Sequence, residues 1–172
     1  MKSILRRQRP PRALTRSEWF VVYFVRTGDY GWNLETLTSD GRDQVRMSAE
    51  VIRAEAESNE VVVFSNYRYG RDMGPYLETA SIIAESLGTS VVDALFRHEP
   101  DNGDVHKMTQ QYLLNGVNHF VRVVNGTFLG EMLHLYPGPE VPIGYMGPAH
   151  GSVHALRVEL DIYGDIATRR FI

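Results

Sequence analysis

Arg26, Thr27, Gly28 and Asp29 stand together directly after the apolar run of residues 19–25, and Asn33 follows shortly. These residue types suit the grip of an anion. A guanidinium offers a fork of donors, a glycine lets backbone come close, and an asparagine amide donates without carrying charge. Two later segments stand in the same relation to apolar runs. Residues 65–79 follow the run 61–64 and bring Arg68 and Arg71, either of which could supply a second fork, with Tyr67, Tyr69 and Tyr76. Asn125, Gly126 and Thr127 follow the run 120–124. Holding an anion needs donors only; turnover also needs a nucleophile. The Thr27 hydroxyl is a poor one unless a base activates it. His150, after a glycine- and proline-rich stretch, could reach Thr27 as that base, and Glu99 is a second acid or base candidate. The bland alternatives are that Arg26 pairs with Asp29 or another acid in a vestigial pocket, that the tyrosines pack, and that Glu99 is a solvated loop residue.

Other chemistries find little support. The chain has no cysteine, so it has no disulfide, thiolate nucleophile or cysteine metal site. The six histidines (98, 106, 119, 134, 150 and 154) lack metal-ligand spacing. His150 and His154 would share one face of a strand, but a pair without a third ligand reads as structural or exposed. No metal and no cofactor is expected. Asn125-Gly126-Thr127 matches a glycosylation sequon, read as fortuitous at a buried strand end in a chain with no secretory signal.

The elements that must position these residues follow from periodicity. Continuous apolar runs at 19–25, 61–64 and 120–124 suit strands buried on both faces, as in a parallel sheet. Between the first two, Val45, Ala49, Ile52 and Ala56 recur at helical spacing. Leu77, Ala80, Ala84 and Leu87 do so in the next interval, where Gly88 should stop the helix. Residues 127–135 read as a short helix and residues 153–160 as the last strand. Strands alternating with helices predict an α/β domain, a three-layer αβα sandwich with a central, mostly parallel sheet. In such sheets ligands sit beyond the carboxyl ends of the strands, where all three polar segments fall.

At 172 residues the chain suits one full core. Its charge is uneven: of the net −3, six basic side chains precede the first acid, Glu18, which leaves 12 basic against 21 acidic groups, a formal −9. Residues 1–17 are therefore read as a basic flexible arm and residues 18–172 as the folded domain. No aromatic residues interleave the arginines, so a solvated arm, tucked against its own acidic body, is preferred over a nucleic-acid arm. No apolar run reaches the roughly 20 residues of a membrane span. A cytoplasmic location and a homodimer are further expectations.

The polar segments also resemble a known family. Arg26-Thr27-Gly28-Asp29 with Asn33 resembles the Arg-His-Gly-Glu…Asn signature of histidine phosphatases, the phosphoglycerate mutase-like superfamily, with Thr27 where the nucleophilic histidine belongs. Leu37-Thr38-Ser39-Asp40-Gly41-Arg42-Asp43-Gln44 looks like that family's Leu-Thr-x-x-Gly-x-x-Gln, which caps the first helix near the site. Phe64-Ser65 and Glu78-Thr79-Ala80 resemble the ends of a third motif, with Pro75 at its arginine position and Arg68 or Arg71 as replacements. Val123-Val124-Asn125-Gly126 looks like the strand ending in the second His-Gly, with Asn125 for the histidine, and His150-Gly151-Ser152-Val153 resembles the entry to the last strand. The family's acidic position falls near Arg97, with Glu99 or Asp93 as substitutes.

The resemblance implies a phosphoglycerate mutase-like fold and a pocket lined by Arg26, Thr27, Gly28, Asn33, Arg68, Arg71, Asn125 and Gly126. It also implies that no phosphohistidine forms. The expected function is a binding or regulatory pseudophosphatase for a phosphorylated or other anionic small molecule. The alternative is an enzyme with changed chemistry on an anionic metabolite in the same pocket.

Overall fold

The computed structural model describes residues 19–31, 35–65, 73–93, 112–113, 115–136, 148–161 and 165–172. Among them, Asn33, Arg68, Arg71, Arg97, Glu99 and the arm 1–17 do not appear, so those expectations lie outside the described residues.

Six strands form one sheet. β1 (Trp19–Arg26), β2 (Val61–Ser65), β3 (Val91–Asp93), β4 (His119–Val124), β5 (Val153–Leu160) and β6 (Ile166–Phe171) lie in the order β3-β2-β4-β1-β5-β6. The pairs β3–β2, β2–β4 and β4–β1 are parallel; β1–β5 and β5–β6 are antiparallel. The apolar runs at 19–25, 61–64 and 120–124 are the three central strands. They are continuous because both their faces are covered. β2 and β4 are buried throughout, whereas β5 alternates over its second half.

Among the described residues, three helices cover the faces. α1 (Ser39–Ala56) and α2 (Met73–Leu87) lie on one side, α3 (Gly126–Leu135) on the other. Val45, Ala49, Ile52 and Ala56 of α1 pack with Ala80, Ile83 and Ala84 of α2 on Val21, Tyr23, Val25, Val61, Val63, Val121 and Val123. Phe128, Leu129 and Met132 of α3 pack on the opposite face with Phe20, Val22, Phe24, Phe64 and Phe120. The α1 stripe is the one its sequence spacing predicts. Gly88 ends α2 at φ +71°, where a side chain would be strained. The three-layer αβα sandwich with a mostly parallel sheet is the fold observed.

The sequence reading needs correcting in two places. Residues 153–160 form a strand, but β6 follows it, so it is not the last. His150 and His154 do not share a strand face, because His150 lies in a turn before β5 begins. β3, only three residues long, was likewise not foreseen.

The strand order sets the candidate crevice. β1 runs into α1 on one face, while its neighbour β4 runs into α3 on the other. Helices departing to opposite sides mark a switch point, where doubly wound sheets commonly take their ligands. Arg26 lies level with Val124 in the register, so Thr27 and Asn125 follow adjacent strand ends.

Two histidines of the sheet, His119 buried and His154 half-buried, belong to other surroundings. The Nδ1 of His119 meets the Tyr23 hydroxyl at 2.9 Å, and its ring lies edge-on to Trp19. Burial pushes the Tyr23 phenol up to about 12, with Glu55 adding to the effect. His154 packs edge-on against Phe171. Burial holds both imidazoles below the ordinary histidine value. The Nε2 of each is buried with no hydrogen-bond partner among the described residues.

Candidate functional site

One shoulder of the crevice is the loop from β1 into α1. Thr38 caps α1: its Oγ1 accepts from the Gly41 amide at 2.9 Å. Its own amide donates to the Asp29 carbonyl at 2.9 Å, and the Gln44 side-chain oxygen accepts from the Asp29 amide at 3.1 Å. Gly28 and Gly41 let the loop lie directly on the helix. A Cβ on Gly28 would come within 2.5 Å of the Gly41 carbonyl, and a Cβ on Gly41 would collide with the Asp29 carbonyl. The absent side chain of Gly28 thus serves contact with α1. Its amide points to the buried Thr79 hydroxyl at 3.4 Å. Glu78 ties in α2, accepting from the Leu37 amide at 2.7 Å and from Arg42 Nε at 2.6 Å.

The other shoulder is the start of α3. Asn125 is its N-cap, and Oδ1 accepts from the Phe128 amide at 2.7 Å. That bond fixes the amide's oxygen, so any donor Asn125 offers a ligand is Nδ2. A Cβ on Gly126 would lie 3.1 Å from both Nε and Cζ of Arg26. The missing side chain therefore lets the guanidinium lie across the helix start.

Arg26 makes no ion pair among the described residues, Asp29 included. Its Nη1 donates to the Pro148 carbonyl, and its Nη2 lies 3.1 Å from His150 Nε2. The other ring nitrogen of His150, Nδ1, lies 3.1 Å from the Thr27 carbonyl. A carbonyl accepts only and a guanidinium donates only. Both bonds form together when the imidazole is neutral, protonated on Nδ1, with its lone pair on Nε2.

Thr27 is 2% exposed, and its hydroxyl donates to the Val124 carbonyl at 3.2 Å. His150 lies against the Thr27 backbone carbonyl and not against its hydroxyl. Asp93 ends β3, on the far side of β2 and β4 from β1. Ser65 Oγ, at the end of β2, is buried without a partner among the described residues. Among those residues, no group of three His, Asp or Glu side chains could hold a metal ion, and no helix is long and apolar enough to cross a membrane.

Three positions escaped the sequence reading as parts of this site. Pro148 enters through its carbonyl, which no side-chain pattern reveals. Gln44 and Thr79 were visible within motifs, but their partners are backbone amides whose position only the fold supplies.

No protein-family model and no curated protein matches the chain. Solved structures do match, and they define the fold. The protein histidine phosphatase SixA, in complex with tungstate, superposes with a TM-score of 0.56 at 18% identity, over 88% of this chain and 96% of that one. A mycobacterial glucosyl-3-phosphoglycerate phosphatase, complexed with VO3, gives 0.53 at 14% identity, over 88% and 97%. A phosphoglycerate mutase from Plasmodium falciparum gives 0.53 at 16% identity, over 89% and 90%. The architecture is that of the histidine phosphatase and phosphoglycerate mutase-like proteins.

Proposed function

We propose that this chain binds a phosphate-like anion in the crevice between β1 and β4, in a binding or regulatory role, and does not turn it over through a phosphohistidine. The observation that carries the reading is the Arg26 guanidinium. It is half-buried, has no carboxylate partner among the described residues, and lies across the N-terminus of α3. A helix start carries partial positive charge and free amides. Two positive poles face each other there, and an anion between them relieves the repulsion. The SixA and mycobacterial phosphatase structures hold tungstate and VO3, which supports a phosphate-shaped ligand.

The absence of turnover follows from what occupies the strand ends. Thr27 and Asn125 stand where the resemblance places the two imidazoles. The Thr27 hydroxyl is spent on a carbonyl, and both nitrogens of the nearby imidazole are engaged elsewhere. A hydroxyl without a base attacks phosphorus poorly. Asn125 carries no charge, and losing one preorganised donor already costs about 10²–10³ in rate.

Two measurements test this. A chromogenic phosphomonoester should show no turnover; hydrolysis that disappears in Thr27→Ala would refute the reading. Inorganic phosphate should raise the melting temperature. At a hundredfold excess over Kd the stabilisation is about 2.7 kcal/mol. Arg26→Gln should abolish that shift, and a shift that survives would move the anion elsewhere.

A further inference from the structure

We infer that the turn at 148–151 is a built-in competitor for the Arg26 guanidinium, a latch that an incoming anion must lift. This rests on the anion-binding reading above and assigns the regulation of that same site. Two acceptors already hold the outer edge of the guanidinium, the Pro148 carbonyl on Nη1 and His150 Nε2 on Nη2. An incoming phosphate or carboxylate oxygen competes with His150 Nε2 for Nη2, while the Pro148 backbone carbonyl keeps its bond to Nη1. The flank of the guanidinium lies against Gly126.

The base of the latch is held through backbone and its tip through a side chain. The Gly151 amide lies 3.1 Å from the Arg26 carbonyl and 3.3 Å from the Thr27 carbonyl, and the Arg26 amide donates to the Ser152 carbonyl at 3.0 Å. Ser48 Oγ donates to the Gly151 carbonyl. Gly151 adopts φ +70°, and a Cβ there would meet Gln44 at 2.7 Å, so the turn is clamped between β1 and α1. His150 sits one residue before this clamp. Its ring is held by one bond to Thr27 O, one to Arg26 and an edge-on contact with Tyr30 at 5.7 Å. Rotation of one side chain exposes Nη2, with no backbone rearrangement in the clamped turn.

Among the described residues the Arg26 guanidinium meets only neutral acceptors. They take two of its N–H groups without neutralising its charge, so the attraction for an anion is kept in reserve. A carboxylate in the place of His150 would have closed the site.

The test is calorimetric titration of inorganic phosphate into the full chain and its variants. His150→Phe keeps the ring against Tyr30 and removes the acceptor; it should bind phosphate about tenfold more tightly, the worth of one hydrogen bond to a charged group. His150→Ala is a second variant without the acceptor and should tighten in the same direction. His150→Gln, which can still accept through its amide oxygen, should stay within about threefold of the parent, inside the usual scatter of such substitutions. Unchanged or weaker binding in both His150→Phe and His150→Ala, with binding still lost in Arg26→Gln, overturns the latch and leaves the anion site standing. Phosphate binding absent from every variant, or indifferent to Arg26→Gln, overturns the anion site and the latch with it.

Discussion

The two shoulders of the crevice are built by opposite means. On the α1 side, backbone lies on backbone: Gly28 on Gly41, Gly41 on Asp29, and the Thr38 cap closing the corner. On the α3 side, contact runs through the ends of side chains: Arg26 over Gly126, His150 on Arg26, Asn125 on Phe128. A backbone contact has no rotamer to change, whereas a side chain can yield. The first shoulder therefore sets the position of the site and the second is free to respond to a ligand.

The sharpest way to break this contrast is to add one methyl group to each side. Gly41→Ala drives a Cβ into the Asp29 carbonyl and should cost about 3 kcal/mol, the upper end for overpacking. Gly126→Ala meets only a flexible guanidinium and should cost less than about 1 kcal/mol. Urea unfolding measures both, and equal losses would erase the distinction.

Smaller effects come from the caps. Thr38→Ala and Asn125→Ala each remove an N-cap oxygen, worth about 1 kcal/mol. Thr38 also donates to the Asp29 carbonyl, at 3.2 Å through its hydroxyl, so its loss should exceed that of Asn125. Asn125→Asp keeps the capping oxygen and should preserve stability while weakening phosphate binding. A variant that binds phosphate as well as the parent would confine Asn125 to its cap.

The smallest effect is a dependence on acidity that does not distinguish the two faces. His119 lies on the α1 side of the sheet, stacked on Tyr23, and His154 on the α3 side, against Phe171. Burial lowers both below the ordinary value of 6.5. The unfolded chain therefore takes up protons that the folded chain refuses. Stability is full above pH 6.5 and is lost as pH falls toward the depressed values. Urea midpoints should drop between about pH 7 and about pH 5.5, the range of ordinary histidine titration. His154→Phe should flatten part of that drop.

Much of the fold was legible because its core elements follow simple periods. Three continuous apolar runs gave the central strands, and the 45-49-52-56 spacing gave the buried stripe of α1. β3 escaped notice because three residues carry no period. β6 escaped because Arg169 and Arg170 interrupt its sequence; only its pairing with β5 makes it a strand. At the site, sequence placed Arg26, Thr27, Asn125, Gly126 and His150 around one opening. It did not foresee that Gly28 packs against a helix, that Asn125 is a cap, or that Arg26 turns to Pro148 and His150. Those roles depend on which backbone atoms arrive opposite each side chain.

β6 ends the described sheet with an edge no other described strand covers. Its residues Ala167, Thr168 and Arg170 are exposed. An open row of amides and carbonyls invites another chain to add a strand, and a bulky cation on such a row discourages it. The register shift between Glu159 and Leu160 adds an irregularity to the same border. Among the described residues, the exposed Arg170 on that edge works against such strand addition, in a strand that sequence alone does not reveal.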